Sequence, residues 1–355
     1  MFEAMTYDNL MARMLDRIPD DMDKREGSVI WDALSPAALE LELAYISLEY
    51  TLLEGFADTQ EREYLVRRCA ERGLVPYEAT NAILKGVFTP SNVEVLGKRF
   101  SLDKLNYTVL SPIEGEPGAY QIQCENSGIE GGQYMGSLVP IEYVDNLETA
   151  NAVEVLIPGE DEEETEALRE RYFSNFRNKS YGGNVHDYLE KTNAIEGVGA
   201  TKVIPIWAGA GTVKLTILNS DFDKASALLI GNVQDEIDPL QDGKGSGIAP
   251  IGHIVTVDTV TEEKINVSTS IECDVGYAWQ NVENMIVQVI SEYLLELRKN
   301  WGNVQSSVVR IAQIETRLLN IQGIVDVWRT SINGKTENLT LDSASIPIMG
   351  VVSNE

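Results

Sequence analysis

Histidine is almost missing from this chain of 355 residues, which has two, His186 and His253. A Ser-His-Asp or Cys-His catalytic site would have to use one of them. His186 falls in GGNVHDYLE, on a helix expected to start near Asn184, and His253 opens a strand after Gly252. A single histidine in either setting is far more often structural or solvent-facing than catalytic. Cysteine is also scarce. Cys69, Cys124 and Cys273 lie far apart with no CxxC, which argues against a disulfide framework or a cysteine-rich zinc site. Cations are outnumbered: 28 Lys and Arg stand against 56 Asp and Glu, a formal net charge of −28. Phosphate binding needs clustered cations, so nucleic acid is not an expected partner. The same balance argues equally against an anionic membrane surface. No apolar run reaches bilayer length. The start, MFEAMTYDNLMARMLDRI, has neither a cationic opening nor a long apolar core and does not read as a signal peptide. A reducing cytosol fits these absences best.

What is present is a chain 43% hydrophobic, long enough for two or three domains with their own cores. Its acidity serves solubility at high local concentration or complements a basic partner, and charge alone does not separate the two. The pattern predicts a multidomain α+β protein in four segments. Residues 1–81 read as long helices. In TYDNLMARMLDRI, Leu10, Met11, Met14, Leu15 and Ile18 share a face. In REGSVIWDALSPAALELELAYISLEYTLLEGF, Ile30, Leu34, Leu41, Tyr45, Leu48 and Leu52 keep helical spacing. Pro36 predicts a kink there, or a restart with Ser35 as N-cap. Asp58 and Glu61 have capping-box spacing before a third helix that would end at Gly73. A helix this long with so few local partners is either a hairpin packed on itself or part of a bundle shared with other chains.

Residues 82–157 change to short β-like runs such as ILKGVF, AYQIQCE and AVEVLI, separated by Gly, Pro and Asn, and predict a small β-rich domain. Residues 158–260 predict a central α+β domain of helix, helix, strands TKVIPIW and TVKLTIL, helix, and strand HIVTVDTV. Residues 261–355 predict a second α+β domain. Its clearest helix carries Val282, Met285, Ile286, Val289, Ile290, Tyr293, Leu294 and Leu297 in one unbroken stripe. The tail IPIMGVVSNE has no readable period.

Motifs with chemistry fail on inspection. GKT at Gly334–Thr336 lacks the earlier glycine of a phosphate loop, because Arg329 stands there, and reads better as an NGK turn. NSDFDKA begins like a calcium loop, but Lys224 replaces its glycine and Ile230 its closing acid. GEDEEETEALRERYF carries five consecutive acids, Glu160 to Glu164. Leu168, Tyr172 and Phe176 follow at helical spacing, and Arg169, Arg171, Arg177 and Lys179 fill the later turns. Acids first and bases last is the order a helix dipole favours, so the acids read as a helix start and not as a metal site. No cofactor is expected.

The order of motifs in the central block carries a resemblance. Arg169, Arg171 and Tyr172 lie in RERYF, and Gly182, Gly183, Asn184, Asp187 and Tyr188 form GGN-x-x-DY. Gly197 and Gly199 form GVG ahead of Val203, Pro205 and Trp207, and Gly209, Gly211 and Thr212 open G-x-G-T-V. In this order the motifs resemble the baseplate J-like family of contractile phage tails and tailocins. The likeness extends to REGSVIWDALSPAALELELAY and to the IPIMG tail, and so covers nearly the whole chain. LEKT stands where the family often has a tryptophan. The resemblance implies a structural baseplate wedge subunit and no enzyme, made in the bacterial host cytoplasm and resident in the tail baseplate. Implied partners are a second copy of the chain with one smaller wedge protein (two to one), a lysozyme-like sheath-initiator subunit, and neighbouring wedges in a ring around the hub. The N-terminal helices then read as a core bundle with Ile30, Leu34, Leu41, Tyr45, Leu48 and Leu52 as partner-binding residues. The C-terminal segment reads as the site of contacts between wedges. The glycines read as tight turns and close approaches. The competing readings are a fibre-attachment or receptor-binding protein, suggested by the β-rich segment, and a carboxylate-pair hydrolase, for which no spacing nominates a site.

Overall fold

The structure is a computed structural model and describes residues 2–177 and 182–354. The chain divides into two compact units, Met1–Tyr77 with Glu163–Arg177, and Glu78–Glu162 with Asn178–Glu355. The acidic-start helix therefore folds with the N-terminal region, although it lies about 85 residues further along the chain.

The first unit contains α1 (Tyr7–Asp16), α2 (Val29–Leu53), α3 (Arg62–Ala70) and α4 (Thr165–Arg177). Thr6 caps α1 and Ser28 caps α2, each accepting from a backbone N–H three residues on. α2 runs as one helix of 25 residues with Pro36 inside it. Of the two alternatives at Pro36, a kink or a restart, the restart at Ser35 does not occur. The Ser35 hydroxyl instead bonds the Tyr7 hydroxyl at 2.7 Å, tying α2 to α1. Pro36 has no N–H to return to the turn before it, so the helix tolerates a missing bond there. α3 is capped by Glu61 and not by Asp58, with no side-chain bond at the cap. Two small cores hold the unit. Leu10, Met11 and Ala38 join α1 to α2. Leu65, Cys69, Leu74, Leu168 and Tyr172 join α3 to α4.

The second unit opens with an antiparallel sheet of β1 (Asn81–Thr89), β2 (Arg99–Leu102), β3 (Leu105–Pro112), β4 (Ala119–Ser127), β5 (Gly136–Ser137), β6 (Val139–Pro140) and β7 (Thr149–Ile157), in the order β5-β7-β1-β4-β3-β2-β6. Burial alternates along β1, as expected for a strand with one covered face. Leu84, Phe88, Phe100, Tyr107 and Ile122 centre its core. Next come α5 (Val185–Asn193), β8 (Val198–Pro205), β9 (Thr212–Asn219), α6 (Ala227–Ile237) and β10 (Ile254–Thr259). β9 pairs antiparallel with β8 and parallel with β10, and α6 supplies the crossover. Leu215, Ile217, Leu229, Val233 and Val255 are buried between them.

The chain then enters β11 (Thr261–Cys273), α7 (Trp279–Lys299), β12 (Val308–Val309), α8 (Ile311–Leu319), β13 (Ile324–Ile332), β14 (Leu339–Thr340) and β15 (Ser345–Asn354). β13 reverses through Asn333 and Gly334, both with positive φ, into Lys335. This is the primed turn that an Asn-Gly pair favours. β15 is the patternless tail, and it adds parallel to β11. Ser345, Ile346 and Pro347 are buried, and no period-2 alternation follows them. Gly350 passes the irregularity between Ile265 and Val267, where a Cβ would lie 2.8 Å from the Ile265 carbonyl oxygen. Of the α7 stripe, Val282, Ile286, Ile290, Tyr293 and Leu294 are buried, while Met285 is 37% exposed.

The two positions should respond differently to truncation. Ile290→Ala is expected to destabilise by about 2–5 kcal/mol in chemical denaturation, and Met285→Ala by less than about 1 kcal/mol. Equal losses would mean that the stripe is buried differently.

Candidate functional site

The acidic stretch is not the first turn of α4. That helix begins at Thr165, its first-turn acid is Glu166, and the five acids precede it. They do not converge. In the first unit, Glu163 takes a two-pronged ion pair from Arg171, at 2.8 and 2.7 Å, and accepts from the Tyr77 N–H at 3.2 Å. Its own N–H donates to the Tyr77 carbonyl. The Arg171 guanidinium also reaches the Val75 carbonyl at 2.7 Å and lies 4.1 Å from the centre of the Tyr77 ring. Arg62 donates to the Glu163 carbonyl at 2.7 Å, and Arg169 donates to the carbonyls of Ala57 and Gln60. In the second unit, Glu160 accepts from the Gly197 N–H at 3.0 Å and Asp161 from the Ile129 N–H at 3.1 Å. These carboxylates satisfy loop N–H groups and an arginine. Burial raises the Glu160 pKa above the ordinary carboxylate value, with the Glu196 and Asp221 charges adding and the Gly197 N–H opposing. Lys179 and the Phe176 side chain fall outside the described residues. Among the described residues no group of three or more His, Cys, Asp or Glu is placed to hold a metal ion.

The central motifs meet around one cleft of about 240 Å³. Gly183, Tyr188, Pro205, Gly211, Thr212 and His253 contribute to its lining. Asn184 caps α5 by accepting from the Asp187 N–H at 2.7 Å, and the buried Asp187 accepts from the Gly183 N–H at 2.9 Å. Lys191 closes on the same carboxylate at 3.1 Å. Gly183 has φ +88°, and a Cβ there would lie 2.8 Å from the Pro250 ring. The Tyr188 hydroxyl shares a 2.7 Å hydrogen bond with His253 Nδ1, and burial pushes its pKa up to about 12. Gly182 lies in the open before this turn, Gly197 in a turn against Ile157, and Gly199 against the backbone of Asn219 and Ser220. Pro205 ends β8. Trp207 and Gly209 lie in the loop before β9, closed by Thr212, whose hydroxyl donates to the Gly209 carbonyl at 2.7 Å. Trp207 is exposed, and the Lys214 ammonium lies 5.5 Å from its ring centre. The histidine is therefore held by a tyrosine on the cleft wall.

The apolar residues of α2 divide. Leu34 and Tyr45 pack on the α1 core, and Ile30 is half-buried. Leu41, Leu48 and Leu52 are exposed. A second set is exposed as well: Leu39, Leu43, Ile46, Tyr50 and Leu53, each between 43% and 58%. The sequence reading passed over this set, although its spacing of 4, 3, 4 and 3 was the available signal. A helix apolar on most of its circumference is normally covered, yet within this chain Ala38 is the one buried residue described in α2.

Comparison with known proteins supplies the class. Residues 180–259 match the family model described as the baseplate J-like central domain, and residues 265–355 match the baseplate J-like protein C-terminal domain. The chain is 36% identical over 358 residues to the phage-like element PBSX protein XkdT of Bacillus subtilis, covering 99% of this chain and 98% of that one. It is 24% identical over 176 residues to the Mu-like prophage FluMu protein gp47 of Haemophilus influenzae, covering 48% and 50%. A chain in the cryo-EM structure of the anti-feeding prophage baseplate overlaps it over 100% of both chains, with a TM-score of 0.41 and 9% identity. The class is that of structural proteins of phage-tail baseplates. Within it, this chain belongs to the baseplate J-like family.

Two outcomes follow from the carboxylates. Ionising Glu160 costs more in the folded chain than in the unfolded one, so its contribution to stability is full below the unfolded carboxylate pKa, about 4.3. That contribution is lost as pH rises through the elevated folded value. Glu160→Gln should therefore raise the melting temperature relative to wild type at pH 8, with the gap closing toward pH 4. A gap that widens on acidification would reverse the sign assigned here. Arg171→Lys keeps the charge but loses the fork and should destabilise the first unit by roughly 2–4 kcal/mol in denaturant titration. A change under about 0.5 kcal/mol would show that the paired geometry is dispensable.

Proposed function

We propose that the chain is a wedge subunit of a contractile-tail baseplate. The observation that carries this reading is the exposed apolar surface of α2, which water disfavours and partner helices would cover. Residues 1–81 then supply a core bundle in which Ile30, Leu34, Leu41, Tyr45, Leu48 and Leu52 bind partners. Two copies of the chain join one smaller wedge protein. The lysozyme-like sheath initiator sits alongside, and residues 261–355 contact neighbouring wedges in a ring around the hub. Residues 82–157 and 158–260 form the domains between. The protein is made in the host cytoplasm and acts in the particle by assembly and not by catalysis. The motif residues from Arg169 to Thr212 build turns and ion pairs. Receptor engagement shifts the wedges between two arrangements, and that shift is the trigger for sheath contraction. Family membership and the acid-rich, cation-poor composition both support this reading.

The test is the mass, by light scattering after size exclusion, of the chain co-expressed with the products of its neighbouring genes. The expected result is a complex of two copies with one smaller partner, lost on combining Leu41→Asp with Leu48→Asp. A monomer that captures no neighbour would overturn the wedge reading.

A further inference from the structure

Another cavity, of about 230 Å³, lies where residues 302–305 and 343–344 come over the sheet β10-β9-β8. Lys202 and Thr216 both line it. They stand directly across from each other on β8 and β9. Their side chains therefore leave the same face of the sheet, with Cβ atoms about 5 Å apart.

The two groups are left incomplete in complementary ways. Thr216 is 1% exposed, and its hydroxyl has no hydrogen-bond partner. A buried hydroxyl in that state is costly and rare. Lys202 is half-buried, and its ammonium carries three N–H groups. The Gln305 and Ser343 carbonyls take two of them, at 3.3 and 2.8 Å. The Trp301 ring centre lies 4.2 Å from Nζ. Among the described residues no carboxylate pairs with this ammonium. Burial lowers the Lys202 pKa from the ordinary lysine value, and Asp342 opposes that from beyond ion-pair distance. Asp258, the neighbour of Thr216 on β10, is already matched by Lys214 at 2.7 Å.

A cation without an acid and a hydroxyl without an acceptor thus share one small cavity. An anionic oxygen would complete both. One ammonium matches one negative charge, and a chain of net charge −28 disfavours a doubly charged anion.

We propose that this cavity binds a single carboxylate, with the Lys202 ammonium and the Thr216 hydroxyl donating to its oxygens. The carboxylate belongs to a small acid or to an Asp or Glu side chain of another protein. The donors come from the central segment and the enclosing loops from the C-terminal one, so an occupant ties the two together. The inference stands apart from the wedge reading.

The test is NMR on the full chain with lysine labelled with carbon-13 at Cε. The Lys202 signal is the one lost in both Lys202→Arg and Lys202→Met. Sodium acetate, titrated against sodium chloride at equal ionic strength, should move that signal to saturation with a Kd on the order of 1–10 mM. It should also raise the Lys202 pKa. Chloride should do neither. Thr216→Val keeps the shape and removes the hydroxyl, and should weaken acetate binding roughly tenfold. Without acetate its melting temperature should be unchanged or higher, since the hydroxyl bonds nothing in the protein. A blocked tripeptide with a central Glu, and its Gln counterpart, separate the two sources. A Glu peptide that binds as tightly as acetate assigns the site to a partner's side chain, and acetate binding alone assigns it to a free acid.

No saturable shift with acetate, an equal shift with chloride, or undiminished acetate affinity in Thr216→Val would overturn the proposal. The wedge reading is decided separately, by the mass of the co-expressed complex.

Discussion

The fold of the first unit depends on the pairing of Glu163 with Arg171. After Tyr77 the chain leaves this unit, and it returns at Glu163. The return is fixed where it occurs: the Glu163 N–H donates to the Tyr77 carbonyl, the Tyr77 N–H donates to the Glu163 carboxylate, and Arg171 grips that carboxylate with both prongs. α4 is thereby held where Leu168 and Tyr172 can complete the core begun by Leu65 and Cys69. A largely buried carboxylate with a single partner would be costly. Here an arginine fork and a backbone N–H share it.

The same logic explains why so acidic a protein has an acid run and no acid site. A cation needs carboxylates that converge. Glu160, Asp161 and Glu163 instead accept from Gly197, from Ile129, and from Arg171 with Tyr77. Each is turned to a different loop, and together they satisfy backbone that would otherwise be left without acceptors. The Tyr188–His253 pair belongs to the same economy of local structure. It joins the wall of a cleft that GGN-x-x-DY, Pro205 and Thr212 all line.

α2 presents two apolar seams at three- and four-residue spacing, of which α1 covers part of one.

Much of this was legible in the sequence because it is local. The α7 stripe, the helical spacing from Ile30 to Leu52, the Asn333-Gly334 turn and the helix start near Asn184 follow from period, from positive φ tolerated by Asn and Gly, and from a side-chain oxygen placed to accept a helical N–H. The order of motifs from Arg169 to Thr212 identified the family, because short-range turns and caps are written in short stretches. What only the tertiary structure decided is non-local. β15 has no period to read, because it adds parallel to β11, its first residues are buried together, and Gly350 slides past a bulge. Of the five acids Glu164 alone opens α4, its carbonyl accepting from the Leu168 N–H, because the partners of Glu160 and Asp161 lie on other loops, which no local charge order reveals. Pro36 did not break α2, because the Ser35–Tyr7 bond and the Ala38 contacts hold the helix through it. Spacing marked which residues of α2 are apolar, and packing against α1 decided which of them remain exposed.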